Sequence, residues 1–254
     1  MLSVYVRCSL LALGILAAVG ANAQTTPPKS PTFVRIIASQ VKPEMQTEWI
    51  DFMKNEAMPA YKKAGIKHRS VWQGGPFGDP SSFVSATTFT NFADLDSEPA
   101  LAKALGEEGM AQFMAHARKC LNGSRHYALR LHEDLSLQKR TSGPPAYAIV
   151  THIRVVQGRR GDFMRFIKNE VLPVMRKAEI ENYWVQESIF GGNASEWTTL
   201  ILQKKFAELD RGNIFVRVLG EPGADKLLLK TTGLITGMER FLARYRADLS
   251  YSME

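Results

Sequence analysis

The chain has 254 residues, and its 32 lysines and arginines against 25 aspartates and glutamates give a formal net charge of +7. That excess is modest for the length. The two signs are interspersed, and no basic stripe with interleaved aromatics occurs, so nucleic-acid binding is excluded as a leading function.

Arg7, the apolar stretch from Leu10 to Val19 and Ala21-Asn22-Ala23 before Gln24 read as a signal peptide over residues 1–23. The mature protein is therefore expected in the periplasm or outside the cell. The apolar run is shorter than the ~20 residues a bilayer span needs, so no stable membrane anchor is expected. Loss of the leader removes Cys8 and leaves Cys120 as the one cysteine, which precludes an internal disulfide.

Residues 24–32, with Pro27, Pro28 and Pro31, form a loose tail. A first strand over Phe33–Val41 is rich in β-branched residues and stops before Pro43. Trp49, Phe52, Met53 and Ala57 then share one helical stripe, and Pro59 inside the continuing pattern should kink the helix. Strands at about 67–73 and 83–90 are joined by Gly74–Pro80, whose residues tolerate turn geometry. A second helical region runs from Phe92 to Cys120 with a break at Gly106–Gly109. A last strand covers about 125–135.

The whole pattern then returns at a constant offset of 114. Phe52, Lys54, Asn55, Glu56 and Pro59 recur as Phe166, Lys168, Asn169, Glu170 and Pro173. Leu105-Gly106-Glu107 recurs as Leu219-Gly220-Glu221, and Asp134-Leu135-Ser136 as Asp248-Leu249-Ser250. Two α+β modules follow, residues 33–140 and 147–254, joined by a linker at 141–146, each with the ferredoxin-like order β-α-β-β-α-β. Two helices cover one face of such a sheet, and the second copy is the economical cover for the other face. The two sheets would then pack sheet to sheet as a pseudo-twofold α/β barrel. The same repeat could swap its barrel partner with a second molecule, so a homodimer stays open.

On the Phe-x-Lys-Asn-Glu-x-x-Pro motif at Phe52–Pro59 and its copy at Phe166–Pro173, the chain resembles the dimeric α/β-barrel superfamily in its tandem, two-repeat form. The resemblance implies a fold more than an activity, because that superfamily includes cofactor-free monooxygenases, haem proteins and small-molecule isomerases. It also implies a ligand held between helix and sheet or inside the barrel. Haem-binding branches take a histidine from the second half, whereas Phe163–Ala178 and Phe206–Thr232 contain none. His116 is the exception left, and no cofactor is expected.

On the last strand Tyr127, Leu129 and Leu131 are expected to meet the helices, which sends His126, Ala128, Arg130 and His132 to the inner face. The matching set in the second copy is Arg240, Leu242, Arg244 and Arg246. An arginine in a partly closed barrel needs a carboxylate or an anionic ligand. The earlier strands add His68, Ser70 and Trp72, matched by Asn182, Trp184 and Gln186. The expected ligand set is therefore His126, Arg130, Arg244, Trp72, Trp184 and His68, around a small aromatic or anionic molecule.

No metal site is expected. His126 and His132 stand about 20 Å apart on a regular strand, and neither Cys-x-x-Cys nor His-Glu-x-x-His occurs. Catalytic residues are not identifiable: there is no Gly-x-Ser-x-Gly elbow, and Cys120 lacks a sequence-local base. The duplicated Glu56 and Glu170 point to a shared structural task at the kinked turn. Two other functions remain open, a cofactor-independent monooxygenase or isomerase with a histidine base, and an interaction module with a filled barrel.

Overall fold

The computed structural model describes residues 31–139 and 143–253. The expected leader, nearly all of the tail and residues 140–142 lie outside them. Strand β1 (Thr32–Val41) leads into α1 (Gln46–Phe52), a π-helical turn at Met53–Ala57, and α2 (Met58–Lys63). Then come β2 (His68–Gly74), β3 (Ser82–Phe89), α3 (Ala100–Cys120), β4 (Leu121–Leu131) and the short β5 (Leu137–Gln138). The second half has β6 (Tyr147–Val155), α4 (Arg160–Phe166), a π-helical turn at Ile167–Val171 and α5 (Leu172–Lys177). It closes with β7 (Asn182–Phe190), β8 (Glu196–Gln203), α6 (Ile214–Leu229), β9 (Ile235–Tyr245) and β10 (Tyr251–Ser252).

The prolines expected to kink each first helix stand second in α2 and α5, just past the π turns. A π turn shifts the hydrogen-bond register by one residue, so the missing proline N–H falls where the ladder is already restarting. The later helices bend where Gly106 and Gly220 adopt φ of 70° and 71°. The last strands of the halves end earlier than the sequence pattern suggests, at Leu131 and Tyr245, because single helical turns at Glu133–Leu135 and Ala247–Leu249 interrupt them.

Strands are ordered β2-β3-β1-β4 in the first half and β7-β8-β6-β9 in the second, and every pairing is antiparallel. The halves join edge to edge rather than as stacked sheets. Strand β4 pairs with β7 (Leu129↔Ser188, Leu131↔Gln186), and β2 pairs with β9 (Trp72↔Tyr245). An eight-stranded antiparallel barrel results, which leaves none of these strands with a free edge.

Three cores hold it. One lies between helices and sheet in the first half, around Phe52, Val71, Phe83, Phe113 and Cys120. Its counterpart in the second half surrounds Phe163, Ile167, Val185 and Trp197. The third joins residues of both halves across the barrel interior: Trp72, Ala148 and Val150, with Val84, Leu200, Phe241 and Tyr245 against them. Each large side chain fully buried in these cores contributes about 1.5–3 kcal/mol.

At the β4–β7 seam Gly191, with φ of +87°, lies so close to β4 that a Cβ would stand 2.0 Å from the His126 carbonyl oxygen. Backbone cannot swing aside as a side chain can. Gly191→Ala should therefore destabilise the protein by several kcal/mol. Gly65→Ala, at φ +74° with nothing nearby, should cost only the left-handed strain of about 1–2 kcal/mol. Urea unfolding of the two variants checks this, and equal losses would count against a tightly closed seam.

Candidate functional site

Register decides which way β4 faces. Leu129 and Tyr127 pair with Val34 and Ile36, which share their face with Ala38, and Ala38 pairs with Val84 of the interior core. Tyr127 and Leu129 therefore point into the barrel. His126, Ala128 and Arg130, paired with Ile37, Arg35 and Phe33, face outward. The expected facing of this strand is thus inverted. The barrel interior is itself apolar, so alternation alone cannot say whether the apolar side of a strand meets helices or lumen.

The six expected residues consequently do not converge. Trp72 and Trp184 lie inside: Trp72 Nε1 donates to Ser70 Oγ at 3.4 Å, and Trp184 Nε1 is buried without a hydrogen-bond partner among the described residues. His68 is exposed at the start of β2, opposite Ser252. His126 and Arg130 share the outer face of β4, and Arg244 occupies the outer face of β9, exposed, opposite Tyr147.

Around Arg130 an aromatic wall has formed. Phe33 stacks on Phe89 at 5.3 Å and meets Phe92 at 4.7 Å; Phe92 in turn meets the edge of Phe190 at 5.7 Å. The Arg130 guanidinium sits 5.7 Å over the Phe33 ring. Its Nε is buried and has no hydrogen-bond partner, and no carboxylate pairs with Arg130 or Arg35 among the described residues. Partial burial and the neighbouring Arg35 charge both lower the His126 pKa, which favours the neutral imidazole. The matching face of the second half is different: Gln203 replaces Phe89 opposite Tyr147, and Tyr147 stacks flat on Phe206 at 4.5 Å. Its hydroxyl donates to the Lys205 carbonyl at 3.0 Å. Arg244 thus borders a closed arrangement.

Just past the end of β4, His132 lies buried at the seam. Its Nε2–H donates to Glu187 Oε2 at 2.8 Å, and Arg160 donates to both oxygens of the same carboxylate. The imidazole lies 5.0 Å from the Trp197 ring, inside the second-half core. Burial opposes ionisation of Glu187, but the bonds from Arg160 and His132 outweigh it and hold the carboxyl down at about 2. The expectation of His132 on the inner face is likewise corrected. Nothing near His132 in sequence announces Glu187, because the register of two halves brings them together.

A shallow depression between α4 and α6, lined by Arg159, Asp162, Arg165, Glu170 and Lys230 among others, contains none of the six residues. Its charges pair among themselves, Arg159 and Arg165 with Asp162 and Lys230 with Glu170. Glu170 and Glu56 both tie their π turn to the long helix of their half, through Lys230 at the end of α6 at 2.7 Å and His116 of α3 at 3.0 Å.

No protein-family model and no curated protein matches the chain. Similar solved structures include a candidate monooxygenase from Lactobacillus acidophilus NCFM, at 12% identity and TM-score 0.55 over 87% of this chain and 96% of that one. An anthrone oxidase-like protein gives 12% and 0.57 over 86% and 92%. Chlorite dismutase from Candidatus Nitrospira defluvii, in complex with imidazole, gives 10% and 0.52 over 85% and 92%. At such identities the likeness is one of fold alone, a mixed α+β fold with an eight-stranded antiparallel barrel. Among the described residues no helix is long and apolar enough to cross a membrane.

Haem, which the resemblance read from the sequence brings into view, does not fit the second half. No histidine stands on α4, α5 or α6, and Phe163, Ile167, Met175 and Trp197 fill the space between those helices and the sheet.

The depressed Glu187 pKa fixes the sign of an acid effect. A carboxylate held below its ordinary 4.5 contributes stability that is complete above that value and is lost as pH falls toward about 2. Unfolding followed across this window should lose roughly 2–3 kcal/mol through Glu187. Glu187→Gln should flatten that limb while lowering stability at pH 7, where His132 and Arg160 lose their acceptor. An unchanged acid limb in Glu187→Gln would assign the loss to other carboxylates.

Proposed function

We propose that this is an exported small-molecule-binding protein whose ligand is an aromatic anion, held on the outer face of the first half. The two halves are read as ferredoxin-like repeats fused in one chain. The observation that carries this reading is Arg130, a guanidinium with a buried, unpartnered Nε lying over Phe33 in an aromatic wall. A partly buried guanidinium whose Nε–H has no acceptor is costly, and an incoming carboxylate or enolate relieves that cost. Phe33, Phe89, Phe92 and Phe190 offer ring faces and edges to the apolar part of the same ligand. Arg35 adds a second positive charge, and His126 stands beside it on the next strand. Trp72, Trp184, His68 and Arg244 have no part in this site.

A second reading is supported by His126, an exposed imidazole whose lowered pKa favours the neutral form. A cofactor-independent monooxygenase or isomerase would use it as the base that takes a proton from a phenol or an anthrone, with Arg130 holding the resulting anion. The candidate monooxygenase and the anthrone oxidase-like protein among the fold neighbours are consistent with this alternative.

Calorimetric titration with 1-naphthoate and with the neutral 1-naphthalenemethanol tests the binding reading. The anion should bind more tightly, and Arg130→Ala should weaken it at least tenfold, the loss of one or two charge-assisted bonds of about 1.5–3 kcal/mol. Arg244→Ala should leave it unchanged. Equal affinity for both probes, or indifference to Arg130→Ala, would remove this face from consideration. Oxygen uptake with anthrone separates the readings: turnover lost in His126→Ala with naphthoate affinity retained would favour the enzyme.

A further inference from the structure

Four side chains that the proposed function does not use meet between α1 and α3. His116 and Cys120 stand four residues apart at the end of α3, on one helix face. Glu48 reaches them from α1. Its carboxylate oxygen, a His116 ring nitrogen and the Cys120 sulfur all lie within 4.8 Å of one another. His116 Nε2 is 3.2 Å from Glu48 Oε1, and this ring nitrogen is buried yet not aligned with any hydrogen-bond partner. Two ligands on a tetrahedral ion with bonds of about 2.0 Å stand some 3.3 Å apart, so this pair already spans one edge. The other ring nitrogen, Nδ1, meets Glu56 Oε1 at 3.0 Å. A carboxylate on the distal nitrogen is what fixes the tautomer and orientation of a metal-bound imidazole.

The second half supplies an internal comparison. At the offset of 114, Asp162, Glu170, Lys230 and Leu234 stand where Glu48, Glu56, His116 and Cys120 stand. There a lysine bridge to Glu170 ties helix to turn, and the sulfur position is filled by an apolar leucine. Tying the helices together therefore requires neither a histidine nor a thiol.

We propose that Glu48, His116 and Cys120 form a zinc site, with the Glu48 carboxylate, His116 Nε2 and the Cys120 sulfur as ligands and Glu56 as the positioning residue. On binding, the thiol S–H bond breaks, its proton passes to solvent, and zinc–sulfur, zinc–nitrogen and zinc–oxygen bonds form. Thiolate and carboxylate together neutralise the ion, so the site acquires no net charge in the half-buried space. Lys119, which now donates to Glu48 Oε1 at 2.7 Å, is well exposed and turns to the other carboxylate oxygen or to water. A mixed sulfur, nitrogen and oxygen donor set suits zinc rather than magnesium or calcium, and a water completes the tetrahedron.

The test uses the full-length protein, stripped by chelator and titrated first with cobalt(II) and then with zinc. Expected are saturation at one metal per chain, a near-ultraviolet thiolate-to-cobalt band that zinc bleaches, and a zinc-dependent rise in Tm reversed by EDTA. Cys120→Ser should abolish the band. Glu48→Gln should weaken zinc binding at least tenfold, and Glu56→Gln about 10–100-fold while leaving the band in place. Glu170→Gln, the matching change in the second half, should do nothing. Because Cys120 is fully buried and its replacement could disturb folding, the decisive variants are those of Glu48 and Glu56, which stand partly exposed. Absence of saturable binding in the wild-type protein, binding without a thiolate band, or affinity unaltered by Glu48→Gln would each overturn the site.

Discussion

Everything in this molecule depends on two seams where the last strand of one half pairs with the second strand of the other. Each seam is built the same way. His132 N–H donates to the Val185 carbonyl and the Val185 N–H donates to Ser136 Oγ; in the other seam Arg246 N–H donates to the Val71 carbonyl and the Val71 N–H to Ser250 Oγ. A hydroxyl thus replaces the ladder partner that the chain removes when it turns into its short helical turn, so the Val185 and Val71 N–H groups stay paired. Without closure, four edges and two apolar sheet faces would stand open, and neither half could bury Trp72 or Val150.

The side chains at the seams are where the halves part company. In one, Arg246 bridges Asp248 and Gln73, with Lys54 adding a second cation to Asp248, whose carboxyl lies well below the usual range because of these bonds. In the other, His132 takes the place of Arg246 and Glu187 that of Gln73, so a second, buried carboxylate faces the histidine across the seam while Asp134 still stands where Asp248 does. The same divergence runs through the rest of the chain, in Phe33 against Tyr147, Phe89 against Gln203, and His116 against Lys230. The two halves can differ in these side chains because barrel closure rests on the backbone bonds of the seams, which are the same in both.

This explains what was legible in the sequence. The offset and the turn residues exposed element order, since apolar periodicity and Gly or Pro punctuation act locally. The glycine break at Gly106 and the helix around Pro59 were readable for the same reason, although the π turn that accommodates Pro59 was not. The facing of β4 is not legible from alternation, because the lumen that Leu129 enters is as apolar as a helix-covered core, while Ala128 pairs on the outer face with Arg35 and Phe190. Pairings such as Glu187 with His132 or Glu48 with His116 depend on register between distant segments. The spacing of His116 and Cys120 on one helix was the only local trace of the second of these.

The two histidines near the β4–β7 seam show why binding is the stronger reading of the outer face. A general base needs access to substrate and a partner that fixes its tautomer. His132 has the partner, Glu187, but is buried beneath Arg160 and against Trp197, where no substrate atom can reach it. His126 has the access but no hydrogen-bond partner among the described residues, and partial burial together with the nearby Arg35 charge makes it a weaker base. Orientation and access have been separated along one strand, six residues apart. Arg130 lies between them, needs neither proton transfer nor tautomer control, and is already positioned over an aromatic ring. Such a group can fix an anion in place without doing chemistry on it, and any catalysis at this face would first require the substrate itself to orient His126.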